Sequence, residues 1–517
     1  MMGRHQSGKR GREAGSALLI AIFALMLVSV VGLALVVSSG TDSALAGNYR
    51  NSAGGYYAGE AGLEEARGRL LWKNPDFINK TNGYPTLFAG QGIPSFGLTD
   101  VLYILNPASG ELVNPLDSSS PYADAEYAKE FTWGLAGANV ATPVNSVSPV
   151  AGLPGPSYKW VRINAVTEAA LGVDVDGSGS LDSFTPLHYT GTALTTNSGV
   201  GNEALEITAF VYMPDKSTRL LQYIVAPNSL QYSFVPASAS LAQAFPAALT
   251  LAGGPGVNFQ GPNSGGFYMN GNDTGPPGAC ANSPWSPVAA IGYMNSADQS
   301  EVVEGVPAGP SPAPDNRANY TGAPPPSGPP TPSVAQVVLP LTLQTPAQFD
   351  SLVQTITQNA DVVLTPPVGS NSVPRSALPA GMSTTNPMIV VVNGDLDLTT
   401  GGANVTGYGL LLVTGTGTVT TNPAFNYDPD VTWEGVILVL GKGTVVGSHG
   451  GGGHIDGAVL VAQTHNPPGN PQTSLGASSA IFNGNMGGTG IYYNSCYISR
   501  ALAPTSYKLL SFREFTQ

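Results

Sequence analysis

The sequence predicts an α+β protein in which a long N-terminal helix carries a small antiparallel-sheet head, followed by a β-rich domain predicted to be a β-solenoid. Three observations indicate this class: a basic leader that runs into an apolar stretch, alternating strand patterns before residue 227, and a glycine-rich β repeat after residue 400. The predicted division is residues 1–15 as a cytoplasmic leader, 16–71 as a transmembrane helix, 72–227 as a globular head, 228–333 as an irregular region with a Pro/Gly-rich linker, and 334–517 as the β-solenoid-like domain.

The composition points to a turn-rich protein outside the cytosol. Charged residues make up 10 % of the chain, against about 25 % in typical soluble proteins, whereas Gly 65 and Pro 44 are abundant. The net charge of −13 argues against a general phosphate-binding face, so no nucleic-acid partner is expected. The two cysteines, Cys280 and Cys496, are too few for a disulfide framework, and one disulfide or two buried free thiols both stay open.

The N-terminal apolar stretch is long enough to cross a membrane. Residues 16–37 carry no charge and are dominated by Leu, Ile, Val and Ala, and about 20 such residues span a bilayer as a helix. The apolar core of a cleaved secretory signal is shorter, about 7 to 15 residues. The basic leader, with Arg4, Lys9, Arg10 and Arg12, is expected to stay cytoplasmic, which places the rest of the chain outside.

The same helix is expected to continue beyond the membrane. No proline lies between Ser16 and Asn74, and apolar residues recur at three-, four- or seven-residue steps, which keeps them on one stripe. The stripe consists of Leu45, Tyr49, Ala53, Tyr56, Leu63 and Leu70. Several glycines weaken this half, each by up to about 1 kcal/mol relative to Ala, so a bent or locally melted helix is predicted.

The stretch "GSALLIAIFALMLVSVVGLALVVSSGTDSALAGNYRNSAGGYYAGEAGLEEARGRL" resembles the N-terminal region of the type IV pilin superfamily, most closely the PilX-type minor pilins. The resemblance implies that a prepilin peptidase cleaves after Gly15, that Ser16 is then methylated, and that the helix packs among other pilins. Most major pilins carry a glutamate at the fifth mature position, where this chain has Ile20, so a minor subunit is favoured. A single-pass anchor of an ordinary surface protein is the alternative.

The head is predicted from three strand patterns. "YKWVRINAV" alternates in polarity from residue 158, and "ALEITAFVYM" and "TRLLQYIVA" flank a hairpin turn at residues 214–217. Three antiparallel strands would cover the apolar stripe of the helix.

An acidic loop in the head, "DVDGSGSLD", is a candidate calcium site. Oxygen-bearing residues fall at alternating positions, and Gly177 and Gly179 permit tight turning around a hard cation. The loop resembles short calcium loops of extracellular proteins but is not an EF-hand, because Thr185 stands where the bidentate acid would be. A solvated acidic turn is the alternative. The predicted structural Ca²⁺ ligands are Asp174, Asp176, Ser178, Ser180 and Asp182.

The C-terminal half contains a repeat. "GLLLVTGTGTV" from Gly409 matches "GVILVLGKGTV" from Gly435, and "GAVLVA" begins at Gly457. Such spacing is typical of β-solenoid rungs, while a β-sandwich remains the competitor. Before the repeat, Thr345 and Pro346 predict the start of a short docking helix.

No common catalytic motif is present, and the chain is predicted not to be an enzyme. His449, His454 and His465 surround a glycine run without an imposed ligand geometry, so exposed turn histidines are expected there. A weaker alternative uses carboxylates on a rung face, as solenoid-fold glycan-cleaving enzymes do. The carboxylates in question are Asp428, Asp430 and Glu434.

The sequence therefore predicts a minor pilin-like subunit of a type IV pilus or related filament. Its expected partners are other pilins through the N-terminal helix, a prepilin peptidase, the inner membrane before assembly, and a glycan or other surface ligand. The expected location is the inner membrane and then the extracellular pilus or cell surface. The alternatives are a carbohydrate-active surface enzyme on a pilin-type anchor and a pseudopilin of a type II secretion system.

Overall fold

The fold was analysed in a computed structural model. It describes residues 13–71, 74, 76, 78, 96–97, 100–126, 139–140, 144–146, 155–191, 193–197, 201–228, 230, 234, 241–273, 286–308, 315–323, 332–384, 386–399, 405–417, 419, 422–428, 430–447, 451–466, 469–483, 486, 488–503 and 506–515. The α-helices are α1 (Glu13–Arg69), α2 (Glu168–Leu171), α3 (Leu241–Ala244), α4 (Gln299–Glu304), α5 (Pro346–Gln358) and α6 (Ser495–Ala501). Short 3₁₀ turns lie at Ser296–Asp298, Asn316–Asn319, Leu341–Leu343 and Arg375–Ala377.

The strands fall into two groups along the chain. Those up to residue 228 are β1 (Asp100–Leu105), β2 (Asn139–Val140), β3 (Val144–Asn145), β4 (Tyr158–Ala165), β5 (His188–Tyr189), β6 (Leu194–Thr195), β7 (Asn202–Glu203), β8 (Leu205–Tyr212) and β9 (Thr218–Asn228). The later strands are β10 (Ala247–Ala252), β11 (Asn258–Gln260), β12 (Phe267–Asn270), β13 (Ala289–Tyr293), β14 (Tyr320–Thr321), β15 (Val334–Gln336), β16 (Val362–Leu364), β17 (Ser372–Pro374), β18 (Met388–Val392), β19 (Asp395–Asp397), β20 (Val405–Val413), β21 (Phe425–Tyr427), β22 (Val431–Val439), β23 (Thr444–Gly447), β24 (His454–Asn466), β25 (Asn470–Gly476), β26 (Ser479–Phe482), β27 (Thr489–Tyr493) and β28 (Ser506–Phe515).

Helix α1 is one uninterrupted helix of 57 residues, about 86 Å long at 1.5 Å per residue. The predicted local melting is wrong for this segment, because the glycines interrupt no turn of the helix. Its apolar half is exposed throughout and is long and apolar enough to cross a membrane, a test that a signal sequence also passes. The C-terminal half, from about Gly55, is buried against a sheet.

The head sheet covers that second half of α1. Its strand order is β2-β1-β4-β8-β9-β28, and the pairs from β1 to β28 are antiparallel. The three predicted strands form the centre as β4, β8 and β9. Leu63 and Ala66 of the helix are fully buried with Val161 and Ile207 of the sheet.

Two helix glycines allow the close approach of α1 to this sheet. A Cβ atom on Gly59 would lie 2.5 Å from Leu221 Cδ1, and one on Gly62 would lie 3.0 Å from Tyr158 and Val161 side-chain atoms. These glycines cost helix propensity, but their missing side chains let the backbone of the helix pack directly on β-branched and aromatic side chains.

The last strand of the chain returns to the head. β28 pairs antiparallel with β9 from Ser506 opposite Asn228 to Phe515 opposite Leu220. The predicted boundary that placed all of residues 334–517 in the C-terminal domain is therefore wrong for β28. The pairing of this strand with the head was not predictable from its sequence pattern. β28 is an edge strand that is only half covered, so it carries charged residues and lacks a clear alternation of buried apolar residues. The β-domain is an insertion between two neighbouring strands of the head sheet.

The inserted β-domain consists mainly of two parallel sheets. Its larger sheet contains the path β14-β12-β27-β24-β22-β20-β18-β16, and the smaller sheet has the order β11-β26-β23-β21-β19-β17. From β16 onward to β24, and again at β26, successive strands belong alternately to the larger and the smaller sheet. Each strand pairs in parallel with the next strand of its own sheet, which follows one turn later along the chain. The sequence repeat is aligned in space, since Gly409 pairs with Gly435 and Gly435 with Gly457.

Residues predicted as an irregular linker contribute to the same sheets. β10 pairs in parallel with the second half of β24, and β13 and β15 extend the sheet beyond β10. The prediction of an irregular region over 228–333 is therefore wrong for β10 to β14. Its strands are short and separated by Gly- and Pro-rich segments, so their partners, which are distant in sequence, decide their conformation.

The predicted docking helix is confirmed. Helix α5 begins after Thr345, whose side chain and that of Gln348 form a reciprocal capping box, with Pro346 in the first turn. Phe349, Leu352 and Ile356 are buried in the core of the β-domain.

The stacked glycines of the repeat offer a test of the register in which β20, β22 and β24 pair. Gly457 has φ +145°, and a Cβ atom there would lie 1.8 Å from the carbonyl oxygen of Gly435. We expect Gly457→Ala to destabilise the β-domain by about 1–3 kcal/mol or more, because both the strain and the collision must be relieved. Urea unfolding of the full chain, followed by circular dichroism, measures the effect.

The control is Gly452→Ala, since Gly452 is exposed and a Cβ atom there meets nothing within 4 Å. Equal unfolding midpoints for the two variants would contradict the register.

Candidate functional site

A buried glutamate holds the two ends of the acidic loop together. Glu168, the first residue of α2, is fully buried. One of its carboxylate oxygens accepts the backbone N–H groups of Val175 and Asp176 at 2.7 and 3.2 Å. The other accepts the backbone N–H of Asp182 at 3.0 Å. This carboxylate therefore fixes both the entry and the exit of the loop.

Asp174 organises the turn of the loop. One carboxylate oxygen accepts the backbone N–H groups of Gly177 and Ser178 at 2.7 and 3.1 Å, and the other accepts that of Gly179 at 2.8 Å. Gly177 and Gly179 have φ values of +73° and +82°, a conformation that residues with a Cβ atom rarely adopt. The two glycines thus let three N–H groups converge on one carboxylate.

Asp176 lies beside these two acids. Its carboxylate accepts the backbone N–H of Ser178 at 2.9 Å and the hydroxyl of Thr196 at 3.4 Å. The hydrogen bonds from Ser178, first of all that of its backbone N–H, lower the pKa of Asp176 below its usual value. Asp176 is therefore ionised at neutral pH and available as an oxygen ligand.

The three carboxylates form a group that could hold a metal ion. One oxygen from each of Glu168, Asp174 and Asp176 lies within 4.8 Å of the other two. Three negative charges this close repel one another, and backbone N–H groups offset only part of that repulsion. A hard divalent cation with oxygen ligands would remove it.

The acidic group in the structure differs in membership from the predicted set of Ca²⁺ ligands. Asp174 and Asp176 are brought together, whereas the Asp182 carboxylate accepts the backbone N–H of Phe184 at 2.7 Å and is not in the group. The Ser178 hydroxyl donates to the carbonyl oxygen of Ser180 at 3.0 Å. These two predicted ligand oxygens are therefore joined to each other by a hydrogen bond within the turn.

Glu168 was missed because it precedes the loop by six residues. The signal was present: Thr167 caps α2 by accepting the Ala170 N–H at 3.2 Å, and Gly172, with φ +71°, ends it after one turn. Because α2 has only one turn, the chain reverses direction directly after it. The first residue of the helix therefore lies beside the loop that follows.

The other predicted site residues lie elsewhere. Gly15 and Ser16 belong to α1, and Ser16 is exposed. Cys496 lies in α6 and is disulfide-bonded. The sequence holds one other cysteine, Cys280, which is outside the described residues.

The expectation of exposed turn histidines is wrong for His454 and His465, which are half-buried and lie in a strand. His454 and His465 lie at opposite ends of β24, about 36 Å apart at 3.3 Å per residue, and His449 is outside the described residues. His454 Nε2 lies 3.1 Å from an Asp456 carboxylate oxygen, and that contact raises the pKa of His454.

The three carboxylates of the enzyme alternative are also divided. Asp428 forms an ion pair with Arg375 at 3.4 Å and accepts the backbone N–H of Asp430 at 3.0 Å, so it serves a turn. Glu434 lies on β22 and is paired in register with Asp456 instead.

No protein-family model matches the chain, and comparisons with curated proteins and with solved structures return no similar protein.

Removing one charge from the acidic group tests its capacity for a metal. We expect Asp174→Asn to weaken the binding of a divalent cation at least tenfold, because the variant loses one of three anionic ligands. Titration calorimetry of the full chain with Ca²⁺ and with Mg²⁺ measures the affinity.

The matched control is Asp117→Asn. Asp117 also accepts a backbone N–H from the turn that follows it, that of Ser119 at 2.9 Å, but lies outside the group. Identical affinities in both variants would refute a metal site at this loop.

Proposed function

We propose that this chain is a minor pilin-like subunit of a type IV pilus or a related filament, involved in filament assembly and in surface adhesion through its β-domain. The supporting observation is the division of α1 into an exposed apolar half and a half packed on an antiparallel sheet. The first half can occupy a bilayer and later be buried among other apolar helices, since both environments accept the same surface. The resemblance of residues 15–70 to PilX-type minor pilins agrees with this arrangement.

The position of the β-domain supports an outward display. Along α1, the Ser52 hydroxyl accepts a hydrogen bond from the Arg219 guanidinium in β9, and Gly59 lies next to Leu221. β9 therefore runs in the same direction as α1, and its end at Asn228 points away from the apolar half. The β-domain leaves the head at that end, so in this proposal it projects from the membrane or filament surface.

We infer further that the β-domain is a β-solenoid and that the ion at the acidic loop is Ca²⁺. Alternation of the chain between two parallel sheets, with a repeat aligned in register, supports the first inference. An all-oxygen ligand group in a chain with a net charge of −13 supports the second. The disulfide-bonded state of Cys496 agrees with an oxidising compartment.

The assignment of Gly15 as the cleavage position is tested by its replacement. In a host with a prepilin peptidase, the mature protein is expected to begin at Ser16 with one added methyl group. Gly15→Leu is expected to abolish cleavage and filament entry, because the peptidase must reach the backbone at that residue. Intact mass, N-terminal sequencing and the sheared pilus fraction provide the measurements.

Gly47→Ala is the control, because Gly47 is an exposed glycine of the same helix with nothing near its Cβ position. Mature protein that begins at Met1, or far downstream of Ser16, would overturn the proposal.

A further inference from the structure

A cavity opens at the edge of the smaller sheet of the β-domain, where β11 and β26 end side by side. Its remaining wall is the turn that follows α4. The cavity has a volume of about 640 Å³, within the range of about 300–1,000 Å³ typical of small-molecule sites. The side chains around it that can contact a ligand are Gln260, Asn263, Glu304, Pro307, Ala308 and Asn483.

Backbone contacts fix the shape of this cavity. The N–H of Gly261, directly after β11, donates to the carbonyl oxygen of Gly305, directly after α4, at 2.8 Å. A Cβ atom on Gly305 would lie 1.9 Å from the carbonyl oxygen of Phe259, so the missing side chain lets the two segments meet. The walls are therefore joined to each other without a ligand, and binding does not have to order them.

The amide side chains around the cavity are open to solvent, so a ligand can reach them. Gln260, Asn263 and Asn483 are all exposed. Asn263 Oδ1 accepts a hydrogen bond from Asn316 at 3.2 Å, which orients the amide and leaves its Nδ2 group as a donor. The amides of Gln260 and Asn483 make no side-chain hydrogen bond to the described part of the chain. Both can therefore donate to and accept from a ligand.

The charge of the cavity argues against anions and metal ions as its ligand. Among the described residues that line it, Glu304 is the only charged one. An anion would find no basic partner there. One carboxylate with a few amides also falls short of the six to eight oxygen ligands, roughly, that Ca²⁺ takes.

The remaining chemistry matches a neutral sugar. Amide groups donate and accept hydrogen bonds side by side, as the hydroxyl groups of a sugar do. Pro307 and Ala308 add apolar surface that is at least partly exposed, and the C–H faces of a sugar ring can pack on such a surface. The single carboxylate of Glu304 can accept one further hydroxyl group.

We propose that this cavity binds the end of a neutral oligosaccharide, with Asn263 and Asn483 hydrogen-bonding to sugar hydroxyl groups and Pro307 contacting a C–H face. The inference names the ligand class for the adhesion that we assign to the β-domain, and it rests on that proposed function. The cavity does not overlap the acidic loop of the head.

Binding to defined sugars tests the cavity. The full chain, purified in a zwitterionic detergent that carries no sugar, is titrated by calorimetry with chitotriose, cellotriose, maltotriose and lactose. At least one of the four is expected to bind. Asn263→Ala and Asn483→Ala are each expected to weaken that binding about tenfold, because each removes hydrogen bonds to the sugar.

The matched control is Asn371→Ala, the same change at an exposed asparagine just before β17, at the opposite edge of the same sheet. Its affinity should equal that of the wild type, and circular dichroism confirms that each variant is folded. Failure of all four sugars to bind, equal binding by all variants, or binding of choline alone in a parallel titration would overturn the inference. The pilin proposal fails separately, through the position of N-terminal cleavage, which a change in the cavity does not affect.

Discussion

The packing of the C-terminal half of α1 on the head sheet is the interaction on which the rest of the structure depends. This contact holds the exposed apolar half of the helix in line with the folded head. It requires a backbone approach that Gly59 and Gly62 permit, and it buries Leu63 and Ala66 completely. A helix with its whole apolar surface covered could not serve a membrane or a filament. Division of one helix between two environments is therefore the central constraint.

The second constraint is the insertion of the β-domain between β9 and β28. Because Asn228 and Ser506 are paired neighbours in one sheet, both connections to the β-domain leave the head at the same end. A large domain added there lengthens the connection between two strands without disturbing their pairing. The acidic loop, held by Glu168, stays within the head.

Particular elements show where sequence reasoning succeeds and where it ends. Helix α5 was predictable because Thr345 and Pro346 act locally, on the residues that follow directly. The pairing of Gly409 with Gly435 was indicated by the sequence repeat in which both residues occupy the same position. In contrast, β10 pairs with β24, and β28 pairs with β9, across hundreds of residues. The sequences of these strands do not indicate which partner each one has. Of the acidic group, Asp174 and Asp176 were visible in the loop, whereas Glu168 joined them only through the chain reversal at α2.

The sequence by itself determined the apolar helix, the central head strands, the tandem repeat and the acidic loop, because each follows from periodicity, turn residues or spacing within a short segment. The tertiary structure alone decided that β28 completes the head, that β10 to β15 extend the β-domain, and that Glu434 lies beside Asp456 in the register of β22 and β24. These features depend on contacts between segments far apart in the chain. Their free energy comes from burial and pairing that exist only after the segments have met.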